Sequence, residues 1–282
     1  VRKLLAAALL AAALCLPASA AAAPERIVAL TPFGANTLVK LGITPVGIGQ
    51  TLGGQDRFSP KLKQVEVLPL SHPNGPNLEQ LASLDPDLVL STPTWAKGNE
   101  SMGALGIRVL IREPRDVAGA YSQTLAIGNL VGKRKQAEAL VESMKKSVAQ
   151  ARKGIEEHPT VMVILGVGRT PFTFLPNSWG GDLVRKAGGE LLTGGVESSS
   201  GFERISDEVV VAEDPDVIIA VPHANEDDIP SLTEYLRTNP AWSSTSAVRD
   251  GRIYISVDDS LLQAGTDVAR AIRKVRRVYL QN

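Results

Sequence analysis

The sequence predicts an α/β fold of two similar lobes bridged by one long helix, with a ligand cleft between the lobes. Three observations carry this. A pattern occurs twice, 129 residues apart: Asn77 to Ser91 and Ser206 to Ala220. Each copy has a helix-capping residue (Asn77, Ser206), a glutamate two positions on (Glu79, Glu208), an Asp-Pro-Asp triplet (85–87, 214–216) and an apolar run. That is a short helix, a proline turn and a buried strand. Strand-like and helix-like segments alternate around both copies, as in parallel sheets. Between them lies a long stretch with helical spacing of its apolar residues.

In order, Arg26 to Leu30 reads as the first strand, and Thr31-Pro32 turns into a helix ending near Leu41 with Gly42 as its stop. Val46 to Ile48 is a second strand, 50–75 is rich in loop residues, and the first repeat follows. Ile107 to Ile111 is a further β-branched run. From about Val117 to Ile155 the chain reads as continuously helical. Ala137, Leu140, Val141, Met144 and Val148 share one face, and His158-Pro159 ends the run. About 20 helical residues span roughly 30 Å, enough to bridge two lobes. The second lobe opens with strands at Val161–Leu165 and Phe172–Leu175. A helix from about Ser178 to Ala187 is closed by Gly188-Gly189. After the second repeat come a helix around Leu232 to Leu236 and a strand at Arg252–Ser256. The last helix puts Val268, Ala271, Ile272, Val275, Val278 and Tyr279 on one face and a solvated row of cations on the other. The expected division is 1–23 signal peptide, 24–130 first lobe, 131–157 linking helix and 158–282 second lobe.

Composition narrows the function. Thirty basic and thirty acidic residues give no net charge and no reason to expect a nucleic-acid partner. Arg2 and Lys3, the apolar Leu4–Leu16 and the small residues Ala18-Ser19-Ala20 form an export signal, too short to span a bilayer. Its removal leaves 28 basic residues against 30 acidic, about −2. Cys15, the only cysteine, has Leu14 directly before it, where lipid-acceptor sites want a small residue, and it lies inside the apolar region. The expected product is therefore exported, periplasmic, not anchored through Cys15, and without disulfide or thiol chemistry.

With signal, repeat and long helix in place, the chain resembles the cobalamin/ferric-siderophore/haem class of ABC-transporter substrate-binding proteins, from RIVALTPFGANTLVKLGI to AVRDGRIYI. Such proteins have two Rossmann-like lobes joined by one helix, with the ligand between them. The stretches 161–189, 215–223 and 72–81 are similar to haem-binding receptor lipoproteins. The resemblance implies capture of haem or a related iron complex as transported ligand, with no permanent cofactor. It also implies delivery by a monomer to a membrane permease; a ferric siderophore or cobalamin is the alternative.

His223 follows the apolar run of the second repeat, at a carboxyl strand end where open α/β sheets place ligands. The resemblance makes it an axial iron ligand, a role suited to a neutral imidazole. For the other lobe it points to the loop before the first repeat. There the family pattern has methionine, and this chain has Asn74, a poor haem ligand. His72 lies two residues earlier, within about 7 Å in an extended loop, and is the substitute candidate. Trp95 and Trp179, each after a turn, are candidates to stack on a macrocycle, with Phe33 a third; Trp242 is expected to pack its lobe. Arg169 and the helix starts near Pro32 and Asn177 could meet ligand carboxylates. Glu79 and Glu208 have an ordinary role at helix N-termini. The resemblance gives them a second one, docking to permease arginines.

An enzyme is not supported. There is no Gly-x-Ser-x-Gly, no His-Glu-x-x-His and no metal-ligand spacing. Gly128 to Arg134 only mimics a phosphate loop, and Gly166-Val-Gly168 lacks a dinucleotide site's third glycine.

Overall fold

The computed structural model describes residues 23–51, 57–165, 171–222, 230, 234–236, 238–257 and 259–281. The signal segment, Cys15, Arg169 and His223 lie outside them. The first lobe holds β1 (Ile27–Ala29), β2 (Gly47–Gly49), β3 (Glu66–Leu68), the hairpin β4 (Leu70–Ser71) and β5 (Gly75–Pro76), β6 (Leu88–Ser91) and β7 (Val109–Ile111). Apart from the hairpin these form one parallel sheet in the order β3-β2-β1-β6-β7. Around it stand α1 (Pro32–Lys40), α2 (Leu78–Ser83) and α3 (Ala96–Ala104). Thr31 caps α1 by accepting from Gly34 N, and Gly42 (φ 82°) turns the chain away beyond its end.

Two further helices, α4 (Val117–Leu130) and α5 (Arg134–Ala151), lead to a second, mixed sheet. It contains β8 (Thr160–Leu165), β9 (Phe172–Phe174), β10 (Glu190–Leu191), β11 (Phe202–Arg204), β12 (Val217–Val221) and β13 (Ile253–Ile255), in the order β11-β9-β8-β12-β13 with β10 also beside β8. Its helices include α6 (Trp179–Ala187), α7 (Asp207–Glu213), α8 (Ser246–Arg249) and α9 (Val268–Val275).

The repeated sequence pattern is a repeated structure. Asn77 and Ser206 precede α2 and α7, and β6 and β12 follow. Asp85 (φ 45°) and Asp214 (φ 42°) both adopt the left-handed conformation, a state short polar side chains tolerate. The second aspartate of each triplet ties neighbouring strands together at their starts. Asp87 accepts from the N–H groups of Glu25 and Arg26, just before β1, at 2.7 and 3.1 Å. Asp216 Oδ2 accepts from Thr160 N and Oγ1, at the start of β8, both at 2.8 Å. β1 pairs with β6 and β8 with β12, so the same carboxylate sets the same register in each lobe.

The predicted unbroken helix from Val117 to Ile155 is two helices. The chain leaves α4 at Val131, turns at Gly132 (φ 69°) and restarts at Arg134. Gly128 has no side chain where Ala137 crosses; a Cβ there would collide with it. α4 packs on α5, on α1 of the first lobe and on α6 of the second, whereas α5 packs chiefly on α4 and α9. The buried face of α5 is the predicted one, with Ala137, Val141, Met144 and Val148 buried. His158 is not at a helix end: it lies beyond α5, its Nδ1 2.9 Å from Gly188 O. The basic face of the last helix is only partly a solvated row, since Arg276 donates to Lys153 O and Gly154 O beyond the end of α5.

The central strands of each sheet are buried on both faces, as parallel strands with helical crossovers require. The outer faces pack into separate cores: Val28, Leu30 and Val89 with Leu81 and Met102, and Met162, Ile164 and Ile218 with Val210 and Trp242. The inner faces share one core. Ile27, Ala29, Leu88 and Leu90 join Val161, Val163, Val217 and Ile219 through α1, α4 and α6.

Candidate ligand-binding site

The candidate site begins at the carboxyl end of β6. There Thr92 caps a single 3-10 turn, Pro93–Trp95, that leads into α3. The tip of the β4–β5 hairpin, His72-Pro73-Asn74, lies against it, with a cis His72–Pro73 bond. Gly98 is required for this approach, because a Cβ there would collide with Asn74 O. Gly75 likewise sits against the Trp95 side chain. The structure thereby brings together three of the sequence candidates. His72 and Asn74 are exposed, and the His72 and Trp95 rings are 6.3 Å apart, tilted by 60°. Trp95 is half-buried, and its buried indole N–H has no hydrogen-bond partner.

Two aromatic candidates are corrected. Phe33 is fully buried in the core shared by the lobes, so it offers no face to a ligand. Its place in the first turn of α1 lays it on the sheet beneath the helix. Trp179 is only 4% exposed, and its indole N–H donates to Ser260 O at 3.0 Å. An amphipathic ring whose polar tip already has a partner is a packing residue. Trp242 packs its lobe, fully buried as expected.

The described residues of the second lobe add to the site at the carboxyl ends of β12 and β13. β12 ends at Val221, two residues before His223. Beyond β13, Val257 is 59% exposed, a large apolar side chain at the strand's carboxyl end. Sequence reading missed it, although Ile253, Ile255 and Val257 continue one alternation past the strand. It also missed the contacts that join the lobes directly. Thr51 Oγ1 donates to Gln263 Oε1 at 2.8 Å, Arg57 Nη2 donates to Gln263 O at 3.0 Å, and Lys40 Nζ pairs with Asp267 at 2.8 Å. Nearer α4, Val117 N donates to the buried Asp182 and Arg115 to Ser199 O. Such pairings depend on tertiary placement, and no local pattern marks them.

Glu79 and Glu208 are both exposed, each at the second position of its helix. A hydrogen bond from the Ser206 hydroxyl, helped by the residue's own backbone N–H, lowers the pKa of Glu208 below the usual glutamate value. Among the described residues no three His, Cys, Asp or Glu side chains gather as a metal site, and no helix is long and apolar enough to cross a membrane.

The periplasmic binding protein family matches this sequence over residues 27–259. The chain belongs to that family. Solved members share the two-lobed α/β architecture. An ABC transporter substrate-binding protein from Listeria monocytogenes superposes with a TM-score of 0.78 at 23% identity, over 92% of this chain and 99% of that one. Staphylococcus aureus IsdE complexed with haem gives 0.74 at 23% identity, over 91% and 99%. A cobalamin-binding protein of Halobacterium salinarum is 31% identical over 202 residues, 70% of this chain. The chain spans about half the length of that relative, 53%. These members of the periplasmic binding protein family are carriers of ligands rather than enzymes.

Proposed function

We propose that this protein is the exported substrate-binding component of an ABC importer. It captures haem or a related iron complex between its lobes and hands it to a membrane permease. The observation that carries the reading is the exposed His72 imidazole beside Trp95, at the carboxyl edge of one sheet of a two-lobed periplasmic binding protein. His72 offers a nitrogen to iron and Trp95 an aromatic surface to a macrocycle. His223, which follows β12, completes an axial pair in this reading, and Arg169 meets a ligand carboxylate. Asn74, exposed at the same hairpin tip, lines the cavity without ligating. Glu79 and Glu208 dock onto arginines of the permease, one from each lobe. α4, packed on both lobes, is the strut between them. The protein works as a monomer, by equilibrium binding, free in the periplasm and unanchored at Cys15.

A second reading, cobalamin, is favoured by the identity to the Halobacterium protein and by Asn74 standing where a methionine would ligate haem. Absorbance titrations with hemin, cyanocobalamin and a ferric hydroxamate separate the readings. The expected result is a sharpened, shifted haem band with hemin alone, lost in His223→Ala and altered in His72→Ala. A haem spectrum unchanged in both variants refutes axial ligation, and a response to cyanocobalamin alone replaces haem with the corrinoid.

A further inference from the structure

The two glutamates assigned to docking occupy equivalent helix positions but are held in different ways. In α2 the helix caps itself, with Asn77 Oδ1 accepting from Gln80 N at 3.0 Å. In α7 the capping residue Ser206 makes no such bond. The first turn of α7 is secured from outside the helix. Asp207 Oδ1 accepts from the indole N–H of Trp242 at 2.9 Å and from the Tyr235 hydroxyl at 3.3 Å. Asn239 Nδ2 donates to that same hydroxyl at 3.1 Å. Trp242 is fully buried, and the Tyr235 ring meets it edge-on at 5.8 Å. Burial and the Asp207 charge raise the pKa of Tyr235, as expected where a phenol donates to a carboxylate.

We propose that Asp207 is a positioning residue for permease docking: clamped inward by Trp242 and Tyr235, it fixes the direction in which Glu208 points outward. This rests on the docking role given to Glu208 above. Neighbouring residues on a helix differ by about 100° around its axis, so fixing one carboxylate against the lobe sets the azimuth of the next. Lacking its own cap, α7 depends on the Asp207 clamp for an orientation that α2 obtains locally.

The test uses the full chain and the permease whose ATP hydrolysis it stimulates, reconstituted in nanodiscs, below the melting temperature of every variant. Glu208→Lys tests the docking role itself. Asp207→Ala removes the clamp, Asp207→Asn keeps an acceptor for the indole, and Trp242→Phe removes the donor while retaining a ring. We expect Asp207→Ala and Trp242→Phe to raise the half-stimulating concentration roughly three- to tenfold, the order set by the net worth of one typical hydrogen bond. Affinity for the transported ligand should stay unchanged, and Asp207→Asn should recover most of the loss. If Glu208→Lys impairs stimulation while Asp207→Ala does not, the positioning role is wrong and the docking role stands. An equal loss in Asp207→Ala and Asp207→Asn, or a parallel fall in ligand affinity, also overturns it. Normal stimulation by Glu208→Lys removes the docking role, and this inference with it.

Discussion

Replacing Asp216 by alanine is the sharpest test of the duplicated architecture. Its Oδ2 receives both the backbone N–H and the hydroxyl of Thr160, and the Thr160 hydroxyl in turn accepts from Asp216 N at 2.9 Å. The site is part-buried and fastens the starts of β8 and β12, the central pair of the second sheet. Two hydrogen bonds to an ionised acceptor are lost, and a part-buried N–H is left without its partner. At about 1 to 1.5 kcal/mol for each bond, the expected cost is about 2–3 kcal/mol. The equivalent Asp87→Ala releases two N–H groups in exposed surroundings, where water replaces the carboxylate, so about 0.5–1 kcal/mol is expected. Asp216→Asn should recover more than half of the loss, because both bonds converge on one oxygen that an amide carbonyl can supply. Urea unfolding of the three variants measures this through midpoint shifts at constant slope. Equal costs for Asp87→Ala and Asp216→Ala, or no recovery in Asp216→Asn, would refute the assignment of strand register to this carboxylate.

Two other perturbations probe the packing of α6 and the boundary between the lobes. Gly181→Ala would drive a Cβ into Leu175 O at the turn before α6, and destabilisation of about 1–3 kcal/mol by urea unfolding is expected. The Lys40–Asp267 bridge between the lobes predicts an acid dependence. Burial raises the pKa of Asp267, but the hydrogen bond and charge of Lys40 and the charge of Arg270 outweigh it, so the net shift is downward. A carboxylate with a lowered folded pKa stabilises the fold above its unfolded value of about 3.9 and loses that effect as the pH falls through the folded value. The melting temperatures of wild type and Lys40→Met should therefore differ at pH 6 and converge toward pH 3. A constant gap across that range would rule out the bridge as its source.

Periodicity and turn chemistry made most of the fold legible. The Asn77 and Ser206 units, the apolar runs that become β6, β8 and β12, and Gly188 as the stop of α6 all follow from local pattern. The break between α4 and α5 did not. Val131-Gly132-Lys133 interrupts the helix for one turn without disturbing the apolar spacing on either side, and a lone glycine is tolerated in a helix. The interaction that demands the turn, Gly128 against Ala137, exists only once the helices fold back. The site was read with the same asymmetry. His72, Asn74 and Trp95 converge because a hairpin and a turn lie beside one strand end. Phe33 and Trp179 are aromatic residues after turns like Trp95, yet the core takes both. Composition identifies aromatic residues, but only packing decides which side of a helix start they occupy.

The shared inner core bears on how a ligand would be gripped. In a hinged receptor each lobe completes its own core, and the lobes meet across a wet interface that opens. Here Ile27 and Leu88 of one sheet and Val161 and Val217 of the other belong to one buried apolar cluster, with Phe33, Ala120 and Val184 between them. Opening the lobes would expose that surface to water at about 25 cal/mol per Å² of apolar area, a cost ligand binding would have to offset on each cycle. The Gln263 contacts with Thr51 and Arg57 and the Lys40–Asp267 pair add polar ties across the same boundary. A ligand site between lobes joined this way would be largely pre-formed, and selection would come from the side chains around it. In the proposed reading, ligand choice then falls to the hairpin tip at His72 and Asn74 and to Trp95 in the first lobe, and to Val257 at the end of β13 in the second. His72, Asn74 and Val257 are exposed and Trp95 is half-buried, so each is open to a ligand.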